Sequence, residues 1–347
     1  MADSPIPYSS LTNLVISPVA PTHYSAGVRV ASGPGAVRVA AAALAEGSLA
    51  IVPTETVYGL AADAENQSAV ARIYQVKGRP PDHPLIVHVA GADNLDYWAV
   101  EIPDYARQLA SAHWPGPMTL VLKRSDKAKD FITGNQDTVA VRVPAHPLTQ
   151  AILREFAATT NNPHAGIAAP SANRFGRVSP TQLQHAVDEL SEYLGEGDLG
   201  IDGGPSEVGI ESTIIDCTGD QPRILRQGAV TIESTSNETQ SKQTSVRTPG
   251  MLESHYAPHA RVHIIDNIND IPEPTDRAGL IAEKIHSTPE LVIRLAEPHD
   301  AVDYAKILYA ALRKGDDNNC HIIYVIPPQG KGIAAAVRDR IQRAAHQ

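Results

Sequence analysis

The amino-acid sequence predicts an α/β protein of two domains, and three observations lead to this prediction. The 347 residues exceed a typical domain of about 150 residues and provide enough chain for a sizeable core. Short apolar runs, typical of buried strands, alternate with segments of helical periodicity, and Gly and Pro lie between them. The composition changes at Glu233, where a polar segment separates a longer N-terminal part from a shorter C-terminal part.

The N-terminal part begins with residues 1–32, which lack a sustained period and are predicted to form a mobile tail that leads into an early strand. Residues 33–232 are predicted to form the first domain. A helix is expected over 34–46, because Pro lies in its first turn and Gly47 follows it. Further helices are expected over 68–74, 104–112 and 147–156, and strands over 49–52, 85–89, 118–122, 138–143, 166–169 and 213–216.

The C-terminal part follows a predicted linker over 233–260. Residues 233–247 are almost wholly polar, and they precede the compact string TPGMLESHYAP at 248–258. We expect this string to close over the active site as a lid, because its apolar side chains can pack against an apolar surface of the protein. The alternative is that these residues only attach the second domain. Residues 261–347 then alternate between strands (262–265, 291–295, 321–326) and helices (301–312, 333–344), which predicts a small three-layer, Rossmann-like unit.

Composition excludes several classes of protein. The net charge of −10 argues against tight non-specific binding to nucleic acid. No apolar run approaches the ~18 residues that a membrane span needs, and the first residues lack a secretory signal. Two cysteines cannot build a disulfide framework or a four-cysteine zinc site. With no membrane span and no secretory signal visible, a soluble cytoplasmic protein is expected. No P-loop, HExxH or GxSxG motif occurs, and no GxGxxG follows a predicted strand, so any nucleotide would need a less common binding site.

The string VPTETVYGL at 52–60 contains the first candidate binding groups. It leads from a strand into a turn, and it places Thr54, Glu55 and Thr56 where the strand ends. Ligands of α/β proteins bind at the ends of strands. The string therefore predicts that two hydroxyls and a carboxylate face a ligand.

The string KGRPPDHPLIVHV at 77–89 contains two candidate cations. Lys77 and Arg79 lie beside a Pro-Pro turn, which suits the binding of phosphates or carboxylates. The alternative for these two residues is a solvated turn without a ligand. His88 lies in an apolar run, where the alternative to a binding role is a core histidine with its hydrogen bonds satisfied.

Four further strings add groups of the same kind: WPGPMTL, TVAVRVP, AAPSAN and GIESTI. Arg142 lies within the apolar strand TVAVRV, and a buried guanidinium needs either a protein partner or an anionic ligand. The small residues of AAPSAN allow the backbone and the Ser171 hydroxyl to approach a ligand closely. Together these hydroxyls and cations suit a nucleotide and a small zwitterion.

These strings together resemble the YrdC-like domain of threonylcarbamoyl-AMP synthases, from about residue 33 to 232. The resemblance rests on PTETVYGL, KGRPPDHPLIVHV, WPGPMTLVL, DTVAVRVPAHP, IAAPSAN, IDGGPSEVGIESTI and ILRQGAV in order. The later string PGMLESHYAP and the α/β unit after it resemble the long, two-domain form of the family. The resemblance implies a twisted, open α/β sheet with a concave active-site face and a Rossmann-like C-terminal domain.

The resemblance also implies the reaction and its substrates. L-threonine, bicarbonate and ATP, accompanied by Mg²⁺, would give threonylcarbamoyl-AMP and pyrophosphate. A downstream tRNA threonylcarbamoyl-transfer enzyme would use the product to modify adenosine 37 of tRNA, so no stable binding of nucleic acid is expected. No protein nucleophile is needed, and catalysis would come from positioning and from charge neutralisation.

The family's motifs assign roles to residues of this chain. The resemblance implies a threonine pocket of Thr54, His88, Arg142, Ala169 and Ser212. It implies ATP contacts from Lys77, Arg79, His83, Thr138, Ser171, Ser179, Arg226, His255 and Tyr256. Lys77, Arg79 and Arg142 would position the substrates and neutralise their charge. His83 departs from the family, which usually has Asn or Ser there, and residues 159–165 resemble an insertion.

Two alternative functions have the same fold. The first is an RNA-binding module, which the acidic composition and the 5% of aromatic residues disfavour. The second is a carbamoyl-transfer role like that of the hydrogenase-maturation carbamoyltransferases. Those proteins carry acylphosphatase and zinc-finger segments, for which this chain has neither the length nor the cysteines.

Overall fold

The computed structural model describes residues 22–25, 27–33, 35–232, 246–248, 256–272 and 277–346. The first domain contains strands β1 (Thr22–Ser25), β2 (Val28–Ala31), β3 (Ala50–Val52), β4 (Gly59–Asp63), β5 (Ile86–His88), β6 (Met118–Lys123), β7 (Thr138–Arg142), β8 (Ile167–Ala168), β9 (Leu199–Ile201), β10 (Thr213–Asp216) and β11 (Arg223–Arg226). Its helices are α1 (Ala36–Ala45), α2 (Gln67–Lys77), α3 (Leu95–Trp98), α4 (Asp104–His113), α5 (Asp130–Thr133), α6 (Pro147–Thr159) and α7 (Leu183–Leu190).

The eleven described strands of this domain form one mixed sheet in the order β1-β2-β9-β3-β4-β8-β5-β7-β6-β10-β11. Four neighbouring pairs are parallel: β2 with β9, β9 with β3, β5 with β7, and β6 with β10. The sheet confirms the predicted large α/β sheet. Because β5 and β7 are parallel neighbours, with His88 opposite Arg142 in register, two predicted site residues meet at one edge.

Helices cover both faces of the large sheet. Alanine-rich α1 packs with α6 on one face, where Ile152, Leu153 and Phe156 are fully buried. On the other face, α2, α4 and α7 join a larger core that includes Trp98. The small side chains of α1 let it lie close to α6, and the burial of both apolar faces is the main stabilising contribution.

The C-terminal domain contains β12 (Arg261–Ile264), β13 (Ala278–Ile281), β14 (Val292–Ala296), α8 (Ala301–Asp317), β15 (Ile322–Val325) and α9 (Ile333–Ala345). Its four described strands are all parallel, in the order β12-β15-β13-β14, which confirms a second α/β domain. The predicted three-layer arrangement is wrong for the described residues, because α8 and α9 share one apolar core on one face. The other face packs against the loop that contains Ile268 and Ile271.

The two domains share a core and are joined by buried polar contacts. Val57, Val178 and Ile210 of the first domain belong to the same apolar cluster as α8 and α9. At Gly209, which has a φ of +79°, a Cβ atom would lie 2.4 Å from the carbonyl oxygen of Ala305. Only glycine therefore lets this turn approach helix α8 so closely.

Several predicted boundaries differ from the structure. The predicted early strand is present as two strands, β1 and β2, which begin before the predicted end of the tail (1–32), and β2 pairs with β9 inside the sheet. Strands β4, β9, β11 and β13 and helix α7 are absent from the sequence prediction. Most of the predicted lid, residues 249–255, lies outside the described residues. No helix among the described residues is long and apolar enough to cross a membrane.

Candidate active site

One pocket collects most of the predicted site residues. Ten of them line it: Thr54, Lys77, Arg79, His88, Arg142, Ala169, Ser171, Ser212, Arg226 and Tyr256. They come from the ends of β3, α2, β5, β7, β8 and β11, from the residue before β10, and from the segment before β12. Residues distant in the chain therefore converge on one cleft, as the strings predicted.

Helix α2 brings the two cations of KGR to the pocket. Asn66 caps the helix by accepting a hydrogen bond from the amide of Ala69, and the helix ends at Gly78, whose φ of +61° reverses the chain. Lys77 is the last helical residue and Arg79 follows the turn. Because Gly78 adopts a left-handed conformation, Lys77 before it and Arg79 after it can both face the pocket.

Lys77 is 2% exposed, so the alternative of a solvated turn is wrong. Its ammonium group donates hydrogen bonds of 2.5 Å to the carbonyl oxygens of Ser171 and Asn173. Burial, together with the nearby guanidinium of Arg79, holds the pKa of Lys77 well below its usual value. Lys77 therefore fixes the AAPSAN turn at the pocket wall in addition to facing the pocket.

Arg79 is also buried, and one of its guanidinium nitrogens donates a 2.9 Å hydrogen bond to the carbonyl oxygen of Pro84. Its guanidinium lies over the ring of Phe175, 5.7 Å from the centroid. Burial lowers the pKa of Arg79 to about 10. His83 contacts the same Phe175 ring edge-on at 5.2 Å, but it is not part of the pocket lining.

The strand β7 places Arg142 opposite the TET turn. Its guanidinium donates hydrogen bonds of 2.6 Å to a carboxylate oxygen of Glu55 and 2.9 Å to the hydroxyl of Thr56. The other oxygen of Glu55 accepts from the amide of Ala145. The expectation that the Glu55 carboxylate faces a ligand is therefore wrong, because Arg142 and a backbone amide hold it. The role of Arg142 towards a substrate carboxylate stays a prediction.

Two smaller groups complete this end of the pocket. The hydroxyl of Thr54 closes the TET turn by donating to the carbonyl oxygen of Val57 at 2.5 Å. His88 is buried, and its Nδ1 atom lies 3.2 Å from the carbonyl oxygen of Ile86. Burial and the positive charge of Arg142 lower the pKa of His88 to about 3. The imidazole is therefore neutral at physiological pH, and it is both a core residue and part of the wall.

The opposite wall is formed by Ser212 and Arg226. The Arg226 guanidinium donates hydrogen bonds of 3.0 and 3.1 Å to the carbonyl oxygen of Ser212. The hydroxyl of Ser212 lies 2.7 Å from that of Thr119 on β6. Burial lowers the pKa of Arg226, so the surrounding protein makes this charge costly unless an anion accompanies it.

Sequence reasoning missed the carboxylate of Glu211 as a member of the site. Its oxygens accept hydrogen bonds of 2.7 Å from Ser179, 2.9 Å from Tyr309 and 2.9 Å from Arg340, and it lines the pocket. Burial raises its pKa, but the guanidinium groups of Arg340 and Arg226 outweigh burial and lower it to about 2. The carboxylate within the string GIESTI was the available signal, but its partners Tyr309 and Arg340 lie 98 and 129 residues away in the chain.

The remaining predicted residues lie elsewhere. Ser179 donates to Glu211 behind the lining, and Thr138 lines a larger neighbouring groove that also contains Arg79. Of the lining residues, Tyr256 is buried, and its ring stacks on that of Tyr309 with 5.5 Å between the ring centroids. His255 lies outside the described residues.

The described residues offer no ready protein ligand set for a metal ion. They contain no group of three or more His, Cys, Asp or Glu side chains that could hold one. Glu211 of the pocket lining and Glu55 behind it are both engaged by arginines. The donor set of this pocket therefore suits anions better than a divalent cation.

Family models match both halves of the chain. A model described as "Telomere recombination" matches residues 42–228, and a model described as "Threonylcarbamoyl-AMP synthase, C-terminal domain" matches residues 212–346. Their shared stretch, 212–228, contains β10 and β11, which adjoin the pocket and the C-terminal domain.

Two curated proteins and one solved structure extend this result. The threonylcarbamoyl-AMP synthase of Pyrococcus abyssi is 36% identical, with 89% of this chain and 93% of that protein covered. That of Bacillus subtilis is 34% identical, with 88% and 92% covered. The crystal structure of P. abyssi Sua5 complexed with L-threonine superposes with a TM-score of 0.78 at 34% identity, covering 91% of this chain and 96% of that one.

Proposed function

Because this chain belongs to the threonylcarbamoyl-AMP synthase family, we propose that it converts L-threonine, bicarbonate and ATP into threonylcarbamoyl-AMP and pyrophosphate. The observation that carries the proposal is the convergence of three buried cations, Lys77, Arg79 and Arg226, on one pocket. A triphosphate suits such a group of cations, because it supplies several negative oxygens.

The reaction consists of two bond-forming steps. The amine of threonine attacks the carbon of bicarbonate, and loss of water leaves a carbamate. A carbamate oxygen then attacks the α-phosphorus of ATP and displaces pyrophosphate. Neither step needs a covalent bond to the protein, so the pocket contributes by orienting the substrates and by neutralising charge.

The pocket has two ends that suit the two substrates. Thr54, His88 and Arg142 lie at one end, where hydroxyls and a guanidinium suit the small zwitterion threonine. The cationic end, with Arg79 and Arg226, suits the phosphates of ATP. The neutral imidazole of His88 adds no positive charge beside the threonine ammonium group, which favours binding of that group.

Mg²⁺ enters this proposal as part of the ATP substrate. The carboxylate of the pocket lining, Glu211, is engaged by Arg340, so the metal ligands would be phosphate oxygens and water. The product would serve a downstream enzyme that modifies tRNA. The RNA-binding alternative is not favoured, because the curated relatives that cover most of the chain are synthases.

The test is ATP turnover by the purified chain. We expect pyrophosphate release that requires both threonine and bicarbonate, with threonylcarbamoyl-AMP detected by mass spectrometry. Arg226→Met should abolish most of it, whereas Arg223→Met on the same strand, whose side chain is 47% exposed, should leave it intact. Pyrophosphate release independent of threonine, or none from the wild-type chain, would exclude the proposed reaction.

A further inference from the structure

Arg340, on helix α9 of the C-terminal domain, is fully buried and points into the first domain. Its guanidinium donates hydrogen bonds of 2.9 Å to a carboxylate oxygen of Glu211 and 3.0 Å to the carbonyl oxygen of Gln227. It also lies over the ring of Tyr256, 5.5 Å from the centroid. One side chain thus contacts three separate segments of the chain outside its own helix.

Each of these three segments belongs to the pocket or adjoins it. Glu211 and Tyr256 line the pocket directly, and Glu211 precedes Ser212. Gln227 follows Arg226, the cation of the opposite wall. The contacts of Arg340 therefore end at the wall where the phosphates of ATP are proposed to bind, although Arg340 itself does not line the pocket.

At this wall the negative charge of Glu211 has positive charges near it. Glu211 interacts with two cations, Arg340 from behind and Arg226 from the pocket side. The Arg340 pair is a direct hydrogen bond between a fully buried guanidinium and a carboxylate that is 8% exposed. In such surroundings an ionised carboxylate needs a cation beside it, because unpaired charge is costly to bury.

We propose that Arg340 is a positioning residue of the synthase site: it neutralises Glu211 and thereby keeps the Arg226 guanidinium directed at the triphosphate of ATP. Without Arg340, the cation available to the Glu211 carboxylate is Arg226, which lines the same pocket and donates to the carbonyl oxygen of Ser212, the residue after Glu211. A salt bridge between them would compete with the phosphates for the same guanidinium. This inference rests on the proposed function, since it assigns the anion at Arg226 to ATP.

The inference gives the C-terminal domain a role in the chemistry of the first domain. Tyr309 on α8 donates a second hydrogen bond to Glu211, so two helices of the C-terminal domain hold this one carboxylate. The C-terminal domain therefore supplies a guanidinium and a hydroxyl that stabilise the charge of Glu211 at the pocket.

The test compares Arg340→Met with the double variant Glu211→Gln/Arg340→Met in the full chain. For Arg340→Met we expect the KM for ATP to rise by about 10- to 100-fold, the range seen when an outer hydrogen-bonding partner of a site is lost. The KM for threonine should change much less. The double variant should recover most of the ATP affinity, because no carboxylate remains to capture Arg226.

Recovery of the ATP affinity in the double variant would distinguish a positioning role of Arg340 from a purely structural role. If Arg340 only fastens the domains, the double variant removes one more contact and is at least as defective as the single variant. The matched control is Arg313→Met, which removes another ion pair between the domains, with Glu189, from outside the pocket lining. Its KM for ATP should stay close to that of the wild type.

A second variant, which retains the positive charge, keeps the proposal testable if Arg340→Met does not fold. Arg340→Lys keeps a cation beside Glu211, so the KM for ATP should stay within about threefold of the wild-type value, even though the planar fork is lost. An unchanged KM for ATP in folded Arg340→Met, or no recovery in the double variant, overturns the inference. Failure of the proposed function would appear separately, as a wild-type chain without threonine-dependent pyrophosphate release.

Discussion

The guanidinium of Arg142 donates a 2.6 Å hydrogen bond to the carboxylate of Glu55, and both side chains are buried beside the pocket. A buried pair of this kind contributes little net stability, but removal of one partner is strongly destabilising. Substitution of Arg142 therefore has two effects, one on folding and one on substrate binding. The choice of substitution decides which effect is measured.

Arg142→Lys keeps the charge beside Glu55 but lacks the planar fork that suits a carboxylate. We expect the KM for threonine to rise about tenfold or more, because a hydrogen bond to a charged group is worth ~1.5–3 kcal/mol. Arg142→Ala should in addition lower the free energy of unfolding by about 3–5 kcal/mol, since it leaves Glu55 unpaired. Steady-state kinetics and urea unfolding measure the two effects.

The control for Arg142 is Arg72→Lys. Arg72 also pairs with a buried carboxylate, that of Asp198, but neither residue lines the pocket. Its substitution should leave the KM for threonine unchanged. If Arg142→Lys folds and shows the wild-type dependence on threonine, the assignment of Arg142 to the threonine carboxylate is wrong.

Removal of both Lys77 and Arg79 should weaken ATP binding much more than threonine binding, because both cations face the proposed phosphate end. Calorimetry with each ligand separately measures this. Because Lys77 holds the carbonyl oxygens of Ser171 and Asn173, the single variant Lys77→Met should also lower stability. Equal losses of affinity for both ligands in the double variant would show that the pair supports the fold instead.

His88 makes stability depend on pH. Its pKa is about 3 in the folded protein and about 6.5 in an unfolded chain, so between these values only the unfolded chain binds the proton. The stabilisation is complete above pH 6.5 and is lost as the pH falls. At pH 5 the free energy of unfolding should be lower than at pH 8 by about 2 kcal/mol from this residue alone.

The variant His88→Asn isolates this contribution, because its amide can still donate to the carbonyl oxygen of Ile86. Chemical unfolding at both pH values should show a smaller pH dependence for the variant. Some dependence will remain, since burial also lowers the pKa of His185 to about 4. Identical pH dependence in the variant and the wild type would contradict the buried neutral imidazole.

Gly209→Ala should weaken the contact between the two domains, whereas Gly204→Ala should leave that contact intact. Both glycines have a positive φ, of +79° and +77°, so each substitution incurs a similar backbone cost of about 1–2 kcal/mol. Only at Gly209 would the new methyl group meet the backbone of helix α8, and nothing lies within 4 Å at Gly204. We expect a larger loss of stability and a raised KM for ATP for Gly209→Ala alone. Equal effects would show that the contact with α8 is not needed.

Local signals predicted much of the fold. Helix α2 was predicted because its apolar spacing is regular, and Gly78 marks the end that brings Lys77 and Arg79 inwards. Strands β4 and β13 were not predicted, because GLAAD and AGLI consist largely of small residues with weak strand preference. In these strands, tertiary packing against neighbouring strands decides the conformation.

The candidate site was predicted as a set of residues, but not as a set of contacts. The motif strings identified Arg142 and predicted that its guanidinium needs a partner, yet they left open whether that partner is a protein group or a ligand, and they did not indicate Glu55. No local pattern indicates that Glu211 meets Arg340, which lies 129 residues later. Such a pairing depends on how the two domains pack against each other. The periodicity of a single sequence reports local structure and does not reveal that packing.

The distance in sequence between Glu211 and Arg340 also sets an order of events during translation. The chain emerges from the ribosome N-terminus first, at about 5–20 residues per second, so the 129 residues between them take roughly 6 to 26 s. During that interval the first domain can form its sheet, but the Glu211 carboxylate has no guanidinium from α9, so Arg226 is the cation left beside it. The nucleotide wall of a nascent chain is therefore assembled last, when helix α9 arrives, and partly synthesised chains should not compete for ATP.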